Sequence, residues 1–153
     1  MLITITLVMV ALLVGLDQLT KYLVITNVKP VDAVPVLDNI LQFRYVENTG
    51  AAFSILSEKT WLLSLITGVL IVGALLYLFI KKPNSKLECV SIILVISGGL
   101  GNLIDRIFRG YVVDFIEYLF MEYAVYNFAD ILVTIGAILL VISIFLDKGE
   151  TDA

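Results

Sequence analysis

Four apolar runs, each long enough to cross a bilayer, dominate this chain of 153 residues. A segment surrounded by lipid must satisfy its own backbone hydrogen bonds, so a run of roughly 20 apolar residues folds as a helix or not at all. The runs cover about 2–25, 60–80, 87–107 and 128–146. With 60% apolar residues and a mean hydropathy of +1.03, the expectation is an all-α membrane bundle of four transmembrane helices. Little chain is left for anything separate, so residues 1–153 are expected to form one integral membrane domain. The first run lacks a basic leader region and a small-x-small cleavage site, and its apolar pattern resumes after Asp17 as Tyr22-Leu23-Val24-Ile25. It reads as a retained span rather than a removable signal.

The composition also removes several function classes. The net charge of −4 and the lack of a basic stripe argue against nucleic acid as a partner. There is no histidine, so Ser-His and Cys-His nucleophile schemes are excluded, and no Cys/His set exists for structural zinc. The single cysteine, Cys89, lies within an apolar run and reads as packing. No metal or cofactor is expected, and any hydrolysis must run on carboxylates.

Lys81, Lys82 and Lys86 crowd the short connection between the second and third runs. The positive-inside rule places that loop, and with it both termini, in the cytoplasm. Segments 26–59 and 108–127 are then extracytoplasmic. The first has a turn signal at Asp38-Asn39 and a period-two alternation through Gln42-Phe43-Arg44-Tyr45-Val46; the second contains Val112-Val113-Asp114-Phe115-Ile116. Both patterns predict short strands, hence a small extracytoplasmic β-sheet with loop elaboration. Trp61, Tyr118, Phe120, Tyr123, Tyr126 and Phe128 resemble an interfacial aromatic belt, and substrate contact is an equal reading for any one of them.

With that topology, the strongly polar residues inside the spans gather toward one end: Asp17, Gln18 and Lys21 on the first, Asn102, Asp105 and Arg106 on the third, Asn127 and Asp130 on the fourth. Asp17 and Lys21 are four apart, as are Asn102 and Arg106; Asn127 and Asp130 are three apart. Each pair shares a helix face, and such a face turns toward the bundle interior. Asp17 with Lys21 can be a simple intrahelical ion pair, and Arg106 can pair with Asp105 or a loop carboxylate. Gly98, Gly99 and Gly101 permit close helix packing and do not match a dinucleotide fingerprint. Asp114 and Asp130 are the acids that most require a function, because an unsatisfied carboxylate near hydrocarbon costs several kcal/mol. Asp130 can also cap the fourth helix, an explanation that does not cover Asp114.

These residues resemble those of the lipoprotein signal peptidases (signal peptidase II), bacterial aspartic peptidases of the cytoplasmic membrane. The resemblance rests on Asp17-Gln18-Leu19-Thr20-Lys21, Asn48-Thr49-Gly50-Ala51-Ala52-Phe53-Ser54, Gly98-Gly99-Leu100-Gly101-Asn102-Leu103-Ile104-Asp105-Arg106, Val112-Val113-Asp114-Phe115 and Asn127-Phe128-Ala129-Asp130. It covers nearly the whole chain and departs only at Tyr126, where Phe is expected. It implies an endopeptidase that removes the signal peptide from diacylglyceryl-modified prolipoproteins, cutting on the N-terminal side of the lipidated cysteine. It implies Asp114 and Asp130 as catalytic, with Asp17, Lys21, Asn48, Gly50, Asn102, Arg106 and Asn127 binding substrate or stabilising the site. A monomer among membrane lipids is expected, with the site near the outer leaflet. The competing reading is a small proton-coupled transporter, which would need polar residues spread through the membrane depth.

Overall fold

In the computed structural model, residues 2–50, 59–81, 83, 85–121 and 123–151 are described. Four long helices form the body: α1 (Leu2–Asn27), α2 (Thr60–Leu76), α3 (Lys86–Arg109) and α4 (Phe128–Thr151). All four are long and apolar enough to cross a membrane. The expected spans agree with them to within a few residues, α2 being prolonged by a π turn over Tyr77–Lys81.

α3 is the central helix, with half of its apolar window buried against at most 22% for the others. Its small residues explain the position. A Cβ on Gly98 would lie 2.3 Å from the Ala129 carbonyl oxygen, and one on Gly136 of α4 would lie 2.8 Å from the Ser91 carbonyl oxygen. The two backbones approach too closely for any side chain at those points, and dispersion across the seam replaces the hydrophobic effect that lipid cannot supply. Ile71, Leu78, Ile92, Ile93 and Ile96 form the core between α2 and α3. Cys89 packs at its edge, as its apolar setting suggests. Ser85 caps α3 by accepting the Glu88 amide at 3.1 Å, and Gly110, at φ +82°, ends it in the left-handed conformation that favours glycine.

The sheet sits at one end of the bundle. β1 (Ala33–Leu37), β2 (Leu41–Asn48) and β3 (Val112–Tyr118) are antiparallel in the order β1-β2-β3. The hairpin turns at Asp38-Asn39, with Asn39 at φ 57°. Val24 of α1 and Val28 just beyond its end pack with Val113 and Phe115 of β3 in a second core, which fixes the sheet on the helices. In the β2–β3 ladder Val46 stands opposite Asp114 and Asn48 opposite Val112. Residues 51–58, which include the last four positions of the Asn48–Ser54 motif, lie outside the described residues.

The gathering of polar residues at one end has an exception. Glu88 is buried at the other end of α3, where it accepts the Tyr77 hydroxyl at 2.5 Å. Ser91 and Ser143 are also buried there, each donating within its own helix, to Leu87 and Leu140 respectively.

Candidate active site

The site is assembled where α1, α3, β3 and the start of α4 meet. Its base is Lys21, fully buried on α1, whose Nζ lies 2.9 Å from Asp17 Oδ2, 3.0 Å from Asp105 Oδ2 and 2.9 Å from Asn102 Oδ1. An ammonium inside a protein persists only with such partners. The Asp17–Lys21 pair anticipated from spacing is present, but it is half of a larger cluster. Asp105, absent from the candidates above, is its hub: it also faces Arg109 one turn on.

Of the two readings of Arg106, the ion pair with Asp105 or a loop carboxylate is not formed among the described residues. The Arg106 guanidinium turns the other way and donates from Nη2 to the Gly50 carbonyl at 3.2 Å. Residues four apart share a face, but Arg109, four beyond Asp105, claims that acid first.

The two carboxylates on Lys21 have second duties. Asp105 Oδ2 accepts the Val113 amide at 3.1 Å, and Asp17 Oδ1 accepts the Ala129 amide at 3.1 Å. Val113 precedes Asp114 in the chain and Ala129 precedes Asp130. The backbone just before each acid is therefore pinned to one buried ammonium. Gly101 makes room for this, since a Cβ there would lie 2.5 Å from Asp17 Oδ2.

Above the base stand Asp114 and Asp130, held by amides. Asp114 Oδ1 accepts Asn127 Nδ2 at 2.6 Å, and its Oδ2 accepts Asn48 Nδ2 at 2.8 Å. Asp130 Oδ1 accepts Asn102 Nδ2 at 2.8 Å. Asn102 Oδ1, taken by Lys21 and by Asn127 Nδ2 at 3.1 Å, fixes which way that amide points. Gly50 orients Asn48, donating its amide to Asn48 Oδ1 at 2.9 Å.

Asn127 and Asp130 also form a reciprocal cap on α4. The Asp130 amide donates to Asn127 Oδ1 and the Asn127 amide to Asp130 Oδ2, both at 3.0 Å. The capping explanation for Asp130 therefore holds, and it occupies only Oδ2, Oδ1 being the oxygen that takes the Asn102 amide. The Asp114 carboxyl, 2% exposed, is pushed up to about 7, first by burial and then by the charge of Asp130; the amides of Asn48 and Asn127 pull it partly back. A carboxyl so poised can exchange a proton near neutral pH.

All nine candidate residues are thus brought together, seven of them through the hydrogen-bond network and Arg106 with Gly50 at its edge. A cavity of 220 Å³ lies over Asn48, Asn102, Arg106, Asp114 and Asp130. It continues past Asn48 and Asp114 into a groove of 770 Å³ along β2, β3, Leu119, Met121 and Tyr123 to Val125. Among the described residues no group of three or more Asp, Glu, Cys or His side chains is arranged to hold a metal ion.

Four membrane-spanning helices with two neighbouring carboxylates beneath a small sheet, Asp114 buried and Asp130 half-buried, define a polytopic membrane protein built around a polar site. Residues 9–146 match the family described as Signal peptidase (SPase) II. The chain is 39% identical to the lipoprotein signal peptidase of Streptococcus pyogenes serotype M2 over 138 residues, 90% of each chain. It is 38% identical to that of Streptococcus thermophilus, with the same coverage. A solved structure described as a bacterial membrane enzyme, determined by the in meso method at 2.3 Å, superposes with a TM-score of 0.88 at 32% identity, covering 97% of this chain and 92% of the other. A second, at 1.9 Å, gives 0.82 at 33% identity and 93% of each. The chain belongs to the lipoprotein signal peptidases, multi-pass membrane proteases of bacteria. These comparisons lend the transporter reading no support.

Proposed function

We propose that this protease hydrolyses diacylglyceryl-modified prolipoproteins on the N-terminal side of the lipidated cysteine, with Asp114 and Asp130 as its catalytic pair. The observation that carries the reading is that two acids from separate elements share one cavity and one donor residue, Asn127, whose side-chain amide donates to Asp114 and whose backbone amide donates to Asp130. Two neighbouring carboxylates do not both ionise cheaply, so the pair holds one proton and titrates as a unit. The ionised member takes a proton from a water as its oxygen attacks the scissile carbonyl, and the protonated member gives its proton to the carbonyl oxygen. Collapse of the tetrahedral adduct breaks the C–N bond; the proton taken from water passes to the departing cysteine amine, and one hydroxyl of the adduct returns its proton to the aspartate that had given one up, so the pair again holds one proton. No covalent intermediate, metal or cofactor enters. Asp17, Lys21, Asn48, Asn102 and Asn127 orient the pair, while Arg106 and Gly50 border the peptide's path and the 48–54 segment clamps it.

The same reading places the chain as a single-domain monomer in the cytoplasmic membrane. Both termini are cytoplasmic, following Lys81, Lys82 and Lys86, and the sheet end with its site lies near the outer leaflet. The test is cleavage of a diacylglyceryl prolipoprotein by purified protein, with Asp114→Asn and Asp130→Asn as variants that keep shape and remove the proton. Wild-type cleavage before the cysteine with both variants inert supports the pair. A variant with full activity removes that aspartate from the mechanism, and a folded wild type that never cuts ends the peptidase reading.

A further inference from the structure

Asp130 stands where the site meets two lateral openings, one on each flank of α4. On one flank a cavity of 260 Å³ is lined by Tyr118, Tyr123 and Tyr126 together with Ile131, Thr134 and Ile135. On the other a groove of 280 Å³ starts at Asn102, Arg106 and Asp130 and runs between α2, α3 and α4. Its walls are Leu70, Ile71 and Ala74 of α2, Val95 and Ile96 of α3, and Val133 of α4. From Arg106 to Val95 it follows α3 for roughly 16 Å, at 1.5 Å per residue.

The groove's chemistry selects its occupant. Thr67 supplies the one hydroxyl on its walls, so a peptide laid in it would leave its backbone groups unsatisfied. Its volume is too small for a helix, whose diameter is about 10–12 Å. An extended hydrocarbon chain needs no hydrogen bonds and fits such a slot. Leu70 on the rim is 67% exposed, so the slot opens sideways onto the lipid region from which such a chain would come. At the polar mouth, Arg106 Nε is buried and has no hydrogen-bond partner among the described residues. A buried N–H of that kind requires an acceptor.

Resting on the function proposed above, we infer that the α2–α3–α4 groove seats one acyl chain of the substrate's diacylglyceryl group, with Arg106 at its mouth meeting an ester carbonyl. The acyl chain thereby registers the lipidated cysteine against Asp130. The peptide is left to the polar outer groove and the tyrosine flank.

The test uses the full-length purified protein and one prolipoprotein peptide whose cysteine carries either a dipalmitoyl or a dihexanoyl glyceryl group. Ala74→Phe narrows the deep part of the groove and is expected to raise KM for the dipalmitoyl substrate about tenfold, with the dihexanoyl substrate changed less than about twofold. Ile135→Phe, on the tyrosine flank, should leave the ratio between the two substrates as in the wild type. An unchanged ratio in Ala74→Phe overturns the inference, as does a change that appears in Ile135→Phe instead. If Ala74→Phe loses both substrates, Leu70→Trp on the exposed rim decides in the same way. A folded wild type that cuts neither substrate defeats the peptidase reading itself, and the groove assignment with it.

Discussion

Replacing Lys21 with Met tests whether the buried ammonium is the pivot of the site. Met keeps most of the length and removes the charge. The lost interactions are two ion pairs at 2.9 and 3.0 Å between fully buried groups and a hydrogen bond at 2.9 Å to the buried Asn102. Removing one partner of a buried pair typically costs about 3–5 kcal/mol, because the remaining charge stays in a medium that solvates it poorly. Here the two acids are not equally stranded. Asp105 still faces Arg109, whereas Asp17 keeps only neutral donors, Gln18 Nε2 at 3.1 Å and the Ala129 amide. One carboxylate is left without a cation, so the lower end applies, about 3 kcal/mol. For a chain of this size that lowers Tm by roughly 6–12 °C, read by thermal unfolding in a single detergent. Adding Asp17→Asn should recover at least about 1 kcal/mol of the loss, as coupled neighbours do. A Lys21→Met protein that melts within a degree or two of wild type, or a double variant whose losses simply add, would show that the cluster is not held by this charge.

Other expectations follow from single contacts. Gly101→Ala drives a methyl to within 2.5 Å of Asp17 Oδ2 and should cost about 1–3 kcal/mol in chemical denaturation, whereas Gly68→Ala, with nothing within 4 Å, should be neutral or stabilising. Gly110→Ala at φ +82° should cost about 1–2 kcal/mol from left-handed strain alone. Asn48→Ala removes a hydrogen bond that favours ionised Asp114, so the Asp114-linked limb of the pH–rate profile should move to higher pH. Because the Asp114 carboxyl is raised in the folded state to about 7, the folded protein binds the extra proton between the ordinary aspartate range and neutrality. Its stability should fall as pH rises through that window, and Asp114→Asn should flatten the slope; a slope that persists in the variant assigns it to other groups.

The four spans were legible because hydropathy adds along twenty residues and needs no knowledge of partners. The hairpin was legible from Asp38-Asn39, and the third strand from Val112-Val113 beside Phe115. Helical spacing was less informative about the site. It put Asp17 with Lys21 correctly, since both lie on one helix, but it could not say that Lys21 reaches across to Asp105 and Asn102. The partner of Arg106 stayed open for the same reason: spacing gives the face a residue occupies, and only the packing around that face decides what it meets. The Asp105–Arg109 spacing was visible and would have shown the acid already claimed. Glu88 at the opposite end was hidden by its neighbours, because a single acid at a capping position hardly changes the hydropathy of its window.

The suspension of Val113 and Ala129 from the two acids on Lys21 has a mechanical consequence. A substrate that enters between helices must push them apart, and most such displacements would change the spacing of groups mounted on different elements. Val113 hangs from Asp105 of α3 and Ala129 from Asp17 of α1, and both acids meet on Lys21, so the segments carrying Asp114 and Asp130 are tied to each other across the α1–α3 seam rather than mounted independently. A force that separates α1 from α3 is therefore borne first by the Lys21 ammonium, which works as a tie-rod between the two helices.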